Sequence, residues 1–150
     1  MNGNFLIESV SFVLLTREVD GTQYVLLQER CNTGVFDNMY DVSCSGHLEW
    51  GESCQDAAVR EAKEELGIVL KKENLNFVAA LNIKCNEGRQ FISMAFQTDV
   101  FLGEPHIVEC NKCRNLKWFS IDKLPSNLSG PAKEIIASYF NGNHYVESGY

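Results

Sequence analysis

Hydrophobic and polar residues alternate through most of the first thirty positions of the chain. This period of two predicts a β-strand from Phe5 to Thr16 and a second strand from Thr22 to Gln28. Asp20-Gly21 lies between the two runs and favours a type I′ turn, because both central residues of that turn need positive φ. We therefore expect the two strands to form an antiparallel hairpin.

The pattern changes from strand to helix in the middle of the chain. The Asn- and Gly-containing segment from Glu29 to Met39 predicts a loop. A helix is expected from Ser53 to Leu66, with Ser53 as its N-cap and Gly67 ending it in the left-handed conformation. At 100° per residue this helix has two faces: an apolar face of Ala58, Val59, Ala62 and Leu66, and an acidic face of Glu61, Glu64 and Glu65.

The C-terminal half predicts further strands and a final helix. Two strands, Phe77 to Lys84 and Gln90 to Leu102, are expected to be joined by a turn at Asn86-Glu87-Gly88. A short strand from Leu116 to Phe119, a capped helical turn from Ser120 to Pro125 and a helix from Pro131 to Phe140 are expected to follow. The tail from Asn143 to Tyr150 carries no readable pattern. Without an internal repeat or a linker, residues 1–150 are expected to form a single α/β domain.

Composition and charge narrow the possible functions. The 150 residues include 20 Asp and Glu against 13 Lys and Arg, for a net charge of −7, and 45% are hydrophobic. This composition excludes a disordered chain, and the acidic balance argues against electrostatic binding to nucleic acid or to a membrane. Because no apolar run can span a bilayer and no secretory signal is recognisable, we expect a cytoplasmic protein with six reduced cysteines, including two free thiols at Cys110 and Cys113.

The acidic helix face predicts a metal site. Glu61, Glu64 and Glu65 stand at i, i+3 and i+4, so their carboxylates project from adjacent turns and repel one another. A hard divalent cation such as Mg²⁺ compensates such a cluster and keeps positions open for water and phosphate oxygens. Arg60 can reach Glu64, and also Glu52 in the preceding loop, where an ion pair would hold the loop to the helix.

The segment from Gly46 to Ile68 resembles the Nudix box, Gly-x5-Glu-x7-Arg-Glu-U-x-Glu-Glu-x-Gly-U, where U is apolar, at every specified position. The two apolar positions are Ala62, which is smaller than usual, and Ile68. The resemblance implies an α/β/α sandwich around a mixed β-sheet and hydrolysis of a nucleoside diphosphate linked to another moiety. It also implies a structural role for Gly46, Glu52, Arg60 and Gly67.

Family resemblance also assigns roles to the acidic residues. Glu61, Glu64 and Glu65 match the glutamates that bind Mg²⁺ or Mn²⁺, and Glu61 and Glu64 are the candidate catalytic residues. One of these glutamates, or Glu109 from a later loop, is expected to activate the attacking water. Trp118 is a candidate for stacking on the substrate.

Substrate and assembly are less constrained. No mark of the ADP-ribose, dinucleoside polyphosphate or NADH subfamilies is present, which favours a MutT-like enzyme that cleaves a nucleoside triphosphate, canonical or modified, to the monophosphate and pyrophosphate. The alternatives are an ADP-ribose or nucleotide-sugar pyrophosphatase, an isopentenyl diphosphate isomerase-like enzyme and a non-catalytic nucleotide sensor. We expect the protein to bind a small nucleotide and neither nucleic acid nor a membrane. We also expect it to be a monomer or a homodimer.

Overall fold

A computed structural model describes residues 5–150, apart from the side chain of Glu87. Residues 1–4 of the predicted domain lie outside the described residues. The described part contains eight strands and two α-helices: β1 (Glu8–Val19), β2 (Thr22–Arg30), β3 (Tyr40–Val42), β4 (Cys44–His47), α1 (Cys54–Leu66), β5 (Asn76–Lys84), β6 (Gln90–Thr98), β7 (Cys113–Ser120), α2 (Gly130–Asn141) and β8 (Tyr145–Ser148).

The β1–β2 hairpin turns at Asp20-Gly21, as predicted. Asp20 has φ 50° and Gly21 has φ 78°, so both residues adopt the positive φ that a type I′ turn requires. The strands pair in antiparallel register from Thr16 opposite Val25 to Val19 opposite Thr22. Strand β1 therefore begins and ends three residues later than the pattern predicts, because its boundaries follow the pairing of the turn.

The two strands of this hairpin separate beyond Thr16 and Val25. The N-terminal half of β1 pairs with β4 on one side and, in parallel, with β6 on the other. Beyond Val25, β2 pairs with β3 in place of β1, while β7 pairs with β2 from Tyr24 to Arg30. The mixed sheet thus opens between β1 and β2, and residues of both strands line a cleft there.

One helix covers each face of the sheet. Helix α1 packs Ala58, Ala62 and Leu66 against a buried cluster that includes Val13 and Leu15 of β1. Helix α2 packs on the opposite face, in a cluster that includes the alternate β1 residues. The predicted α/β/α sandwich around a mixed sheet is confirmed.

Several boundaries differ from the expectations. Strand β6 ends at Thr98 rather than Leu102, because Leu102 instead forms an isolated bridge with Val69. Strand β7 begins at Cys113, three residues early, since it pairs with β2 through a bulge. Strands β3 and β4 are not predicted from the sequence, nor is β8, which lies in the C-terminal tail. No helix in residues 5–150 has the length and apolar character needed to cross a membrane.

Candidate active site

Helix α1 is fixed at both ends. Ser53 and Asp56 form a capping box, in which each side chain accepts a hydrogen bond from the other residue's backbone N–H at 3.1 Å. Lys72 forms an ion pair with Asp56 and lowers the pKa of that carboxyl to about 2, together with the Ser53 hydrogen bonds. Gly67 ends the helix with φ 67°. The burial of the Ala and Leu residues on one side then directs Glu61, Glu64 and Glu65 towards the cleft.

Glu61 packs directly against the backbone of Gly46 in β4. A Cβ atom at position 46 would lie 1.9 Å from Oε1 of Glu61, closer than any two such atoms approach. The Glu61 side chain is only 12% exposed, so it has little room to move away. Glycine at this position is therefore required for the close approach of the two elements.

Arg60 connects the box loop to the acidic helix face. Its Nε and Nη2 donate to the two carboxylate oxygens of Glu52 at 2.6 and 3.0 Å, which is the bidentate ion pair expected between these residues. Its Nη1 donates to Glu61 at 2.7 Å and to Glu64 at 3.2 Å. Two of the three helix glutamates thus share one guanidinium, of which the sequence predicted only the contact with Glu64.

Glu65 is the most deeply placed of the three glutamates. One of its oxygens accepts long hydrogen bonds from Nε2 of Gln28 at 3.3 Å and from the backbone N–H of Ser45 at 3.4 Å. Burial, reinforced by the negative charge of Glu61, raises the pKa of Glu65 to about 8. The hydrogen bonds that Glu65 receives do not fully offset its removal from water.

The site carries negative charge that the described side chains do not neutralise. Burial raises the pKa of Glu61, and although Arg60 opposes this shift, the charges of Glu64 and Glu109 add to it. In residues 5–150 no three acidic, histidine or cysteine side chains converge as a preformed metal site. Arg60 holds part of the carboxylate set, but carboxylate oxygens are the ligands that Mg²⁺ and Mn²⁺ prefer, so the donor chemistry fits such a cation.

The three glutamates line a cleft of about 570 Å³. Glu109 lies in the same cleft, as expected for a loop carboxylate, with Nζ of Lys112 at 3.7 Å from it. His47 also lines the cleft, where its ring nitrogen contacts Glu8 at 2.5 Å. The apolar part of the lining includes Phe91.

Trp118 does not reach the cleft. Its ring lies against Phe101, with the centroids 6.5 Å apart, and beneath Arg17 at 4.3 Å. On β7 it pairs with Leu26, whose side chain points into the core under α1. Trp118 faces the same side of the sheet as Leu26, but it lies two positions along the strand pair from the cleft residue Gln28. The structure thus places Trp118 outside the cleft lining, and its stacking on a substrate stays a prediction.

Some polar residues of the cleft are not marked by the sequence. Gln28 and Arg30 on β2 and Asp41 on β3 line the cleft beside the glutamates. No local motif contains them, since they meet only where β2 pairs with β3. The only sequence signal was a polar residue at Gln28 and another at Arg30, at the end of an otherwise apolar strand.

Sequence comparison relates the chain to one protein family. The NUDIX domain family profile matches residues 7–139. An uncharacterised Nudix hydrolase from Clostridium acetobutylicum is 32% identical over 107 residues, which are 69% of this chain and 52% of the relative. The NAD-capped RNA hydrolase NudC from Pseudomonas putida is 30% identical over 128 residues, which are 85% of this chain and 40% of the relative. The chain thus spans about half or less of these relatives' length.

Solved structures share the fold. The MutT NUDIX hydrolase from Burkholderia pseudomallei superposes with a TM-score of 0.80 at 24% identity, over 89% of this chain and 98% of that one. The NUDIX domain of NrtR from Shewanella oneidensis, crystallised with ADP-ribose, superposes with a TM-score of 0.75 at 14% identity, over 93% and 90% of the two chains. At these identities the likeness shows the fold.

Proposed function

This chain belongs to the Nudix family, and we propose that it is a hydrolase that uses Mg²⁺ or Mn²⁺ to cleave a nucleoside diphosphate linked to another moiety. The observation that carries the proposal is that Glu61, Glu64, Glu65 and Glu109 line one cleft. Burial raises the pKa of Glu61 and of Glu65, and neighbouring carboxylates add to each shift. We also propose that residues 1–150 act as one domain.

The helix glutamates are proposed as the metal ligands. Glu61, Glu64 and Glu65 would hold the cation, which when bound supplies charge neutralisation for the diphosphate and lowers the pKa of a coordinated water. Arg60 orients Glu61 and Glu64, and Glu52 fixes Arg60. Gly46 leaves the space that Glu61 occupies. Gly67 ends helix α1 just after Leu66, so that all three glutamates lie within the helix.

A carboxylate in the cleft is proposed to accept the proton of the attacking water. Glu61 and Glu64 are the candidates on the helix, and Glu109 is the candidate from the loop. A general base needs a pKa near the working pH and a position within hydrogen-bond reach of the water. Burial moves Glu61 in that direction, whereas Glu109 remains partly exposed beside Lys112.

The proposed substrate is a nucleoside triphosphate, canonical or modified, that is cleaved to the monophosphate and pyrophosphate. The size of the cleft, about 570 Å³, is that of a site for a small molecule. ADP-ribose and nucleotide sugars are alternatives with the same diphosphate chemistry. The NudC relatives favour a second candidate, a dinucleotide pyrophosphate or the NAD cap of an RNA, which would make nucleic acid a partner.

A substrate panel tests the proposal. The protein is assayed with Mg²⁺, with Mn²⁺ and with chelator against nucleoside triphosphates, oxidised nucleoside triphosphates, ADP-ribose, nucleotide sugars, NADH and NAD-capped RNA, and products are separated by chromatography. Metal-dependent cleavage of one group supports the hydrolase and names its substrate class. Binding without turnover across the panel would favour a sensor, and conversion of isopentenyl diphosphate to its allylic isomer without phosphate release would favour an isomerase.

A further inference from the structure

Arg30 is a cation of the cleft without a short carboxylate contact. The cleft also contains Arg60, Arg89 and Lys112. Arg60 donates to Glu52 at 2.6 Å, and Arg89 contacts Glu8 at 3.2 Å. Lys112 is more than half exposed and lies near Glu109. Arg30, by contrast, is 18% exposed, and its nearest carboxylate oxygen, on Asp41, is 3.6 Å away.

The guanidinium of Arg30 is held from two sides. Its Nε donates to the backbone carbonyl of Val35 at 2.9 Å, in the loop that follows β2. On the other side stands Asp41, whose Oδ1 accepts hydrogen bonds from the Val42 backbone N–H at 2.9 Å and from Oγ of Ser129 at 3.0 Å. Within the described residues, Nε is the only side-chain nitrogen of Arg30 that makes a hydrogen bond. The remaining donors of its planar fork are therefore available.

The contact between Asp41 and Arg30 is too long to neutralise the charge of the guanidinium. The Asp41 side chain is 2% exposed, and the 3.6 Å separation from Arg30 is longer than a charge-assisted hydrogen bond. Burial raises the pKa of Asp41 in spite of the nearby guanidinium. Asp41 therefore positions Arg30 more than it neutralises it.

Arg30 lies next to the acidic site along the same strand. Gln28, two residues earlier on β2, donates to Glu65, and residues i and i+2 of a strand are about 6.7 Å apart on one face. A bulge between Glu29 and Arg30 changes the direction of the end of β2. Gln28 and Arg30 both line the cleft. A group the size of a diphosphate placed at the glutamates would come within reach of Arg30.

We propose that Arg30 binds the diphosphate of the substrate on the side of the cleft opposite α1, with Asp41 and the Val35 carbonyl as its positioning groups. The inference rests on the proposed function, because it assigns the anion to the substrate of that reaction. A guanidinium fork matches phosphate oxygens in a bidentate manner. It would supply positive charge to a cleft that otherwise carries an excess of carboxylates.

The test measures the binding of inorganic pyrophosphate in the presence of Mg²⁺ by titration calorimetry, and kcat and KM for the best substrate of the panel. Arg30→Gln is expected to weaken pyrophosphate binding and to raise KM by on the order of 10- to 100-fold. Arg17→Gln is the matched control, since Arg17 lies over Trp118 outside the cleft, and it should leave both quantities unchanged. Arg89→Gln tests whether Arg89, another cation of the cleft, binds the pyrophosphate instead.

Two outcomes overturn the inference. The first is an Arg30→Gln protein that binds pyrophosphate and turns over substrate within twofold of wild type. If Arg30→Gln does not fold, Arg30→Lys takes its place and should lose several-fold in pyrophosphate affinity, because lysine lacks the fork. Wild-type affinity in Arg30→Lys is then the second outcome. If the wild-type protein hydrolyses no substrate but binds pyrophosphate, and Arg30→Gln loses that binding, the proposed function is contradicted while the anion site at Arg30 is supported.

Discussion

The carboxylate of Glu61 occupies the space in which any side chain at Gly46 would begin, with Oε1 1.9 Å from the ideal Cβ position. Gly46→Ala must therefore displace Glu61, whose Cγ, at 2.6 Å, is also too close. We expect kcat/KM to fall by at least about tenfold, since a displaced ligand or base loses about 1.4 kcal/mol or more of transition-state stabilisation. Steady-state kinetics measure this loss.

Gly130→Ala is the matched control for that substitution. Gly130 lies in the first turn of α2, it has no positive φ, and its Cβ would meet nothing closer than 3.9 Å. Its activity should equal that of wild type, and its melting temperature should not fall. Equal kinetics for Gly46→Ala and Gly130→Ala would show that the packing of Glu61 against Gly46 has no part in the reaction.

Replacement of the helix glutamates by glutamine tests the metal site. Glu61→Gln, Glu64→Gln and Glu65→Gln keep side-chain shape but remove one ligand charge each. For each we expect a loss of kcat on the order of 100-fold and weaker Mn²⁺ binding by calorimetry, because an oxygen-donor site depends on ligand charge. Glu73→Gln, on an exposed turn outside the cleft, is the control. Near-wild-type turnover in both Glu64→Gln and Glu65→Gln would contradict the assignment.

Local chemistry accounts for what the sequence could predict. The Asp20-Gly21 turn, the Ser53 cap and the Gly67 terminus each depend on residues within a few positions of one another. Strand β8 could not be predicted, because its residues form a strand only by parallel pairing with β5, more than sixty positions earlier. Strand β4 contains Ser and Gly and is a strand only because it pairs with β1.

The same distinction applies to the candidate site. The box glutamates and the Arg60–Glu52 ion pair follow from spacing within one segment. Arg30 and Asp41 could not be recognised, because they meet only after β1 and β2 separate and β3 pairs with β2. Trp118 was assigned to the substrate from its residue type, but its position opposite Leu26, outside the cleft lining, depends on the register of β7 against β2.

The loop between β2 and β3 is held together by Asp37. Its carboxylate accepts hydrogen bonds from the backbone N–H groups of Thr33 at 3.0 Å and Gly34 at 2.9 Å, and from the Thr33 hydroxyl at 2.6 Å. The loop places Thr33, Val35 and Phe36 in the cleft lining. Asp37→Ala should raise KM by about tenfold, since an unconstrained loop has to be ordered on binding, while kcat changes little.

Asp37→Asn separates the charge of that side chain from its hydrogen bonds. Asparagine retains one acceptor oxygen, so its KM should lie between those of wild type and Asp37→Ala. The melting temperatures of both variants should stay close to that of wild type, because the loop lies at the surface. A fall in kcat as large as the rise in KM would indicate instead that the loop acts on the reacting groups.

The Asp56–Lys72 ion pair should make the stability of α1 depend on pH in the acid range. The pKa of Asp56 is lowered in the folded protein from 3.8 to about 2 by Lys72 and Ser53. A carboxyl with a lowered folded-state pKa contributes stability above its unfolded pKa and loses it as the pH falls through the folded value. Asp56→Asn should therefore melt below wild type at pH 7, with the difference shrinking between about pH 4 and pH 2. Calorimetric melting temperatures of the two proteins across this range measure it, with Lys72→Gln expected to follow the same trend. A difference that stays constant down to pH 2 would mean that the carboxylate charge does not contribute.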